Sequence, residues 1–164
     1  MIDELEIRNL LARYSRGVDR ADWDLVRRCF EPKASIDYGV VSGTVDDLIE
    51  YAEEGLAPMV GLQHFLGQSL VEVRGVDASA ETYVWAFHRL PGVPESDLTL
   101  GGRYIDRLFK GGAGWRIVDR VMAVDWVRHD PVVLGPLDVG VTGRRSAEDR
   151  SYSGLPETSA FRRG

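Results

Sequence analysis

Apolar residues recur at helical spacing through the first third of the chain and at strand spacing afterwards. Residues 3–17 carry Leu5, Ile7, Leu10, Leu11 and Tyr14 on one stripe, which predicts an amphipathic helix. Gly17 lies where that helix could end or bend. Asp22 then reads as an N-cap for a second helix over 22–31, with Trp23, Val26, Cys29 and Phe30 as its apolar side and Pro32 as its stop. Ser35-Ile36-Asp37-Tyr38 alternates as a short strand. Thr44-Val45-Asp46-Asp47 is a variant capping box, and it opens a third helix over about 46–57.

The second half changes period. Residues 68–73, 80–88, 98–108 and 114–126 are rich in β-branched and aromatic side chains. Gly75-Val76-Asp77, Pro91-Gly92 and Gly111-Gly112-Ala113-Gly114 punctuate them. Four antiparallel strands between 66 and 127, following the helices, make an α+β fold. A curved sheet closing over helices forms a cone whose interior suits a small molecule. Gly101-Gly102 and the Gly111–Gly114 run lie within or between strands and open no helix. They therefore read as a bulge and a hairpin turn, not as a phosphate-binding loop. From about 131 the pattern fades into Pro, Gly, Ser and Arg. The chain thus divides into one domain over 1–130 and an irregular tail over 131–164, which could also pack against another subunit.

Composition narrows the function classes. An apolar fraction of 44% and a charged fraction of 28% belong to an ordinary globular domain. A net charge of -6 argues against a nucleic-acid partner. No run approaches the ~20 apolar residues of a membrane span. No basic stretch leads into an apolar run near the start, so the expected compartment is the cytoplasm. The single Cys29, on an apolar helix side, reads as a buried inert thiol. Three separated histidines without helical pairing give no metal motif, and no Gly-x-Ser-x-Gly elbow is present.

Candidate chemistry concentrates at Asp19, near the end of the first helix, at His64, just before a strand-like segment, and at Arg120, at the end of another. A histidine that meets a helix-borne carboxylate is a general-base candidate. Each also has a plainer reading on spacing alone: Asp19 as a capping acid, His64 as a structural histidine, Arg120 as an exposed strand residue. His88 could face the cavity or point outward, and His129 reads as tail.

The order of elements and the local sequence resemble the SnoaL-like branch of the NTF2-like superfamily. The segments that carry the resemblance are Ile7–Tyr14, Gly17–Trp23, the Phe30-Glu31-Pro32 stop, Gln63-His64-Phe65, Gly101–Asp106 and Gly114–Ile117. The pattern is most similar to the group that contains lindane dehydrochlorinase, bile-acid dehydratase and scytalone dehydratase. That resemblance implies an NTF2-like cone with an Asp–His pair inside it, here Asp19 and His64, and an active-site arginine at Arg120. Tyr14 stands five residues before Asp19, as a functional tyrosine does in the bile-acid enzyme; the dehydrochlorinase has lysine there, which argues against dehalogenation. The implied activity is a cofactor-independent dehydratase acting on a small, cyclic, apolar, oxygenated substrate. An isomerase or cyclase using the same base, and a non-catalytic ligand-binding or dioxygenase β-type subunit, are the alternatives. Trp23, Tyr38, Phe65, Trp85, Phe87 and His88 are the expected walls of the cavity. The resemblance also implies a homo-oligomer, a trimer as in the dehydratases or a dimer as elsewhere, with Val71, Val73, Val84 and Ala86 available to either sheet face.

Overall fold

The computed structural model describes residues 1–92, 95–132 and 143–153. The order is α1 (Ile2–Asp19), α2 (Trp23–Arg28), β1 (Phe30–Asp37), β2 (Ser42–Gly43), α3 (Val45–Leu56), β3 (Gly61–Arg74), β4 (Asp77–Leu90), β5 (Ser96–Gly111), β6 (Gly114–Pro131) and α4 (Arg150–Ser153). The architecture is α+β: helices pack on one curved, six-stranded sheet of order β2-β1-β6-β5-β4-β3. No helix among the described residues is long and apolar enough to cross a membrane.

Helix α1 buries Ile7, Leu10, Leu11, Tyr14 and Val18 against the sheet, and Asp3 and Glu4 lie at its positive end. Gly17 does not end it. A Cβ there would stand 2.8 Å from Val26 Cγ2, so glycine at this position lets α1 and α2 pack closely. The helix runs to Asp19 and closes in a Schellman motif, with Asp22 N–H donating to Gly17 O (2.8 Å) and Ala21 N–H to Val18 O (3.2 Å). The left-handed position of that motif is held by Ala21 (φ 50°), where glycine is the usual occupant. Asp22 then caps α2 by accepting from Leu25 N–H at 3.1 Å.

Three boundaries differ from the sequence expectation. Helix α2 stops at Arg28, and Pro32 lies inside β1 instead of ending a helix. Strand β1 is eight residues long because it pairs in parallel with β6, making the sheet mixed. That pairing joins segments 84 residues apart (Ser35 with Asp119), which local periodicity cannot report. Strand β3 begins at Gly61, which places His64 within the strand. The capping box of α3 forms as expected, with Thr44 Oγ1 accepting from Asp47 N–H and Thr44 N–H donating to the Asp47 side chain.

Strand alternation decides which face each candidate occupies. Val71, Val73, Val84 and Ala86 all turn toward the core. The outer face instead exposes Phe65, Tyr83, Trp85, Ile105 and Trp126. A register shift between Gly101 and Gly102 lets the β5–β6 ladder bend. A side chain at Gly102 would stand 2.2 Å from the Ala123 carbonyl oxygen, so only glycine fits that bulge.

The strained position at Ala21 is testable. Ala21→Gly should raise the unfolding free energy by up to about 1 kcal/mol, because the left-handed penalty exceeds glycine's extra unfolded-state entropy. Urea denaturation measures this; a loss of stability would show that the Ala21 methyl packs more favourably than its φ angle costs.

Candidate active site

Strand β3 is an edge strand, so its outward N–H groups lack a strand partner. Helix α1 lies along that edge and supplies side chains to it. Arg8 Nη2 donates to Ser69 O at 2.6 Å. One turn before the Schellman turn closes, Asp19 accepts the His64 backbone N–H with both carboxylate oxygens, at 3.0 and 3.1 Å. The same carboxylate lies 2.8 Å from His64 Nδ1. Both side chains keep a little exposure, 9% for His64 and 14% for Asp19. An ionised carboxylate only accepts, so in the neutral imidazole this contact puts the ring proton on Nδ1 and the lone pair on Nε2.

The pair borders a cavity of about 300 Å³ lined by Ala12, Ser15, Arg16, Arg20, Phe65 and Leu66 as well. Ser15 stands one helical turn before Asp19 on the buried stripe of α1, and its hydroxyl has no hydrogen-bond partner. A second cavity, of about 640 Å³, lies across the α1–α2 turn and is lined by Ala21, Trp23, Glu53, Ala57, Met59, Val60, Gly143 and Arg145.

His88 faces inward beside the pair. Its ring meets that of His64 edge-on, with centroids 5.7 Å apart. Burial, and then the neighbouring His64, push its pKa down to about 4, so it is neutral near pH 7.

Tyr14, Tyr38 and Arg120 form a separate cluster. Arg120 is completely buried, and its guanidinium makes a two-point ion pair with Asp106 (2.6 and 2.9 Å), the residue directly across on β5. Its Cζ lies 4.2 Å from the ring centroids of both Tyr14 and Tyr104, which meet each other edge-on at 5.7 Å. Burial opposes its charge, and Asp106, together with Tyr38 and Tyr14, more than restores it. Tyr14 and Tyr38 join their hydroxyls at 2.6 Å. Burial raises the pKa of both phenols, and of Tyr104, above the ordinary tyrosine value. The structure therefore brings Asp19, His64 and His88 together and holds Tyr14 and Arg120 in the core behind them. Neither Tyr14 nor Arg120 lines either cavity.

The expected walls divide. Trp23 lines the larger cavity, and Tyr38 is half-buried against the core. Phe65 borders the smaller cavity from the outer face with 63% of its surface exposed. Trp85 and Phe87 do not line the interior. In register Trp85 pairs with Phe65 on the outer face and stacks edge-on with Trp126, while Phe87 lies on that same face under the Arg89 guanidinium. The strand alternates one residue out of step with the expectation, and a one-residue change of phase swaps faces. Cys29 is buried, with its thiol pushed up to about 11.

Sequence reasoning missed four residues. Ser15 is a hydroxyl within the α1 apolar stripe, and Asp106 is a charge at an inward strand position; both were visible as breaks in a pattern. Tyr104 and Arg145 carried no such signal. Of the tail expected to be irregular or to meet another subunit, residues 133–142 and 154–164 lie outside the described residues, and 143–153 pack on α1 and the α1–α2 turn of the same chain. Tyr152 Oη donates to Asp22 at 3.1 Å, and Arg16 Nη2 to Ser151 at 3.0 Å.

The chain is similar to known proteins of one family and fold. The family model for the SnoaL-like domain matches residues 1–121. The uncharacterised Mycobacterium tuberculosis protein Rv2910c is 32% identical over 123 residues, covering 73% of this chain and 83% of its own. Among solved structures, Kfla4162 from Kribbella flavida matches with a TM-score of 0.71 at 20% identity, over 77% of this chain and 93% of its own. A hexachlorocyclohexane dehydrochlorinase matches with a TM-score of 0.71 at 15% identity, over 84% and 99%. A Novosphingobium aromaticivorans protein that carries the provisional name scytalone dehydratase matches at 0.70 and 20% identity, over 85% and 94%. At these identities the structural likeness establishes the fold.

Two predictions follow from the buried charges. The folded pKa of His88 (about 4) lies below its ordinary 6.5, so between those values the unfolded chain binds more protons and stability falls on acidification. His88→Gln should remove a slope approaching about 1.4 kcal/mol per pH unit, read from urea denaturation at pH 7 and pH 5. Asp106→Asn should cost about 3–5 kcal/mol by leaving Arg120 uncompensated, and Asp106→Leu combined with Arg120→Met should recover much of it. If Asp106→Asn unfolds at the wild-type denaturant midpoint, the pair is not the buried constraint described above.

Proposed function

This chain belongs to the SnoaL-like family, and from the geometry of its site we propose that it is a cofactor-independent lyase, a dehydratase acting on a cyclic, largely apolar, oxygenated substrate. One observation carries the reading: Asp19 fixes His64 by ring and backbone together, leaving Nε2 as a free base beside a cavity. His64 Nε2 takes a proton from a carbon next to a carbonyl, and the C–H electron pair becomes an enolate. Asp19 stabilises the resulting imidazolium. Collapse of the enolate forms the double bond and breaks the neighbouring C–O bond. The leaving hydroxyl takes the proton back from His64 and departs as water, which restores the neutral base.

A positioned base supplies roughly 10²–10⁴-fold, so the enolate oxygen needs a donor of its own. The unpartnered Ser15 hydroxyl on the same cavity fills that role. Tyr14 and Arg120 act here as positioning residues: stacked together in the core, they hold α1, and with it Asp19, against β3. His88 stays neutral and so adds no competing cation beside His64. The exposed aromatic outer face of the sheet supports self-association of the chain.

The test is turnover of cyclic β-hydroxy ketones, followed by mass spectrometry for loss of water. His64→Ala should abolish turnover in a folded protein. Asp19→Asn should lower kcat more than it raises KM, and the Asp19/His64 double variant should be little worse than His64→Ala alone. Ser15→Ala should lower kcat by about 10²-fold without loss of stability, because it removes a buried hydroxyl that has no partner. Multiplicative losses for Asp19 and His64 would remove the paired mechanism. Proton movement at unchanged substrate mass would assign the same base to an isomerase or cyclase.

A further inference from the structure

We propose that Arg145 is an anion anchor and that the substrate is a cyclic carboxylic acid. This deepens the reading above and rests on it.

Arg145 reaches the larger cavity, next to the one that holds the dyad, on a strap of chain, residues 143–153, whose position is fixed independently of Arg145 itself. Asp149 is the knot of that strap. It accepts from the Arg144 N–H (2.7 Å), the Ser151 N–H (3.0 Å) and the Ser151 hydroxyl (2.6 Å), and pairs with Arg20 Nε at 3.4 Å. Burial opposes its charge, yet these donors hold its carboxyl well below the usual carboxylate range. Tyr152 adds a second tether, buried with its ring under the Arg16 guanidinium at 4.7 Å. The strap is thereby bound to the helix that carries Asp19.

The guanidinium it delivers is incompletely satisfied. Arg145 Nη1 donates to the Leu56 carbonyl, while Nε is buried without a hydrogen-bond partner. Among the described residues Arg145 makes no ion pair, unlike Arg103, Arg120 and Arg144, each of which lies within 4 Å of a carboxylate. Its charge nevertheless acts on the active centre: Asp19 attracts it, and it opposes protonation of His88. A partly buried cation that meets only a neutral carbonyl lacks the acceptor its planar fork fits best, a carboxylate.

The surroundings define the rest of the ligand. Trp23, Ala57, Met59 and Val60 line the same cavity of about 640 Å³, a volume suited to a ring system. Glu53 is the acidic group on that wall, and it is exposed on α3, where water and salt screen it. Arg20 lines the dyad cavity and its neighbour Ala21 lines this one, so the two spaces flank one turn.

The experiment uses the full chain and two probes of one shape, 2-naphthoate and its neutral amide 2-naphthamide, titrated by calorimetry. Wild type should bind the carboxylate about tenfold more tightly or better, a preference worth about 1.4 kcal/mol. That preference should shrink as salt rises. Arg145→Gln should erase it while leaving amide affinity unchanged, and Arg145→Lys should restore part of it, since lysine keeps the charge but not the fork. His64→Ala should leave it intact, which separates failure of the anchor from failure of the acid–base reading. Equal affinity of wild type for both probes, absence of binding at millimolar concentration, or a preference that survives in folded Arg145→Gln overturns the proposal.

Discussion

The carboxylate of Asp19 holds the backbone N–H and the ring Nδ1 of His64 at once, and the arrangement of the site depends on that double bond. An edge strand leaves alternate N–H groups unpaired, and each must find a partner or stay in water. At His64 the partner comes from the last residue of α1. The distinction between a capping acid and a catalytic acid therefore dissolves at Asp19: the bond that seals the strand edge also fixes which way the imidazole points. Because Nδ1 is committed to the carboxylate, the neutral imidazole has its lone pair at Nε2.

For Asp19 to stand at that edge, α1 must be held at a fixed depth on the sheet. The buried Arg120–Asp106 pair accomplishes this at an energetic cost. Two charges removed from water repay their desolvation only through good geometry, and this pair has two short bonds and two tyrosine rings against the guanidinium. One of those rings is Tyr14, on α1. An apolar replacement could match the stability, but it would not index the helix to a particular position on β5 and β6. That is a reason for polar groups to persist in a core otherwise built from Ile7, Leu11, Phe30, Leu108 and Ile117.

How much was legible in the sequence follows from the range of each determinant. Helices α1 and α3 are written locally, in apolar spacing and a capping box, and their limits lie within a residue or two of expectation. The parallel β1–β6 pairing depends on residues 84 positions apart and has no local signature. Phase within a strand is equally hidden: Trp85 and Phe87 look like interior aromatics until the register with Phe65 and Trp126 places them outside. The SnoaL-like resemblance pointed to Asp19 and His64, which the fold does bring within 2.8 Å of one another. It also pointed to Arg120 as a substrate contact, and there the missing knowledge was Asp106, a neighbour supplied only by strand pairing. Arg145 was out of reach because its place depends on a strap tied down by Asp149, far from any periodic pattern.

The α1–α2 turn is where these constraints meet. Asp19 ends the helix there, Arg20 reaches Asp149, Ala21 adopts a left-handed conformation, and Asp22 both caps α2 and accepts from Tyr152. Four consecutive residues thus fix the base, the strap and the second helix. Alanine at the left-handed position costs energy that glycine would not. Such strain survives only where the surroundings over-determine the backbone, and here Gly17, Val18 and Leu25 hold the turn by hydrogen bonds on both sides. A turn that loosened would move Asp19 off the edge of β3 and release the strap together. The dyad and the strap that carries Arg145 are therefore supported by one short stretch of backbone.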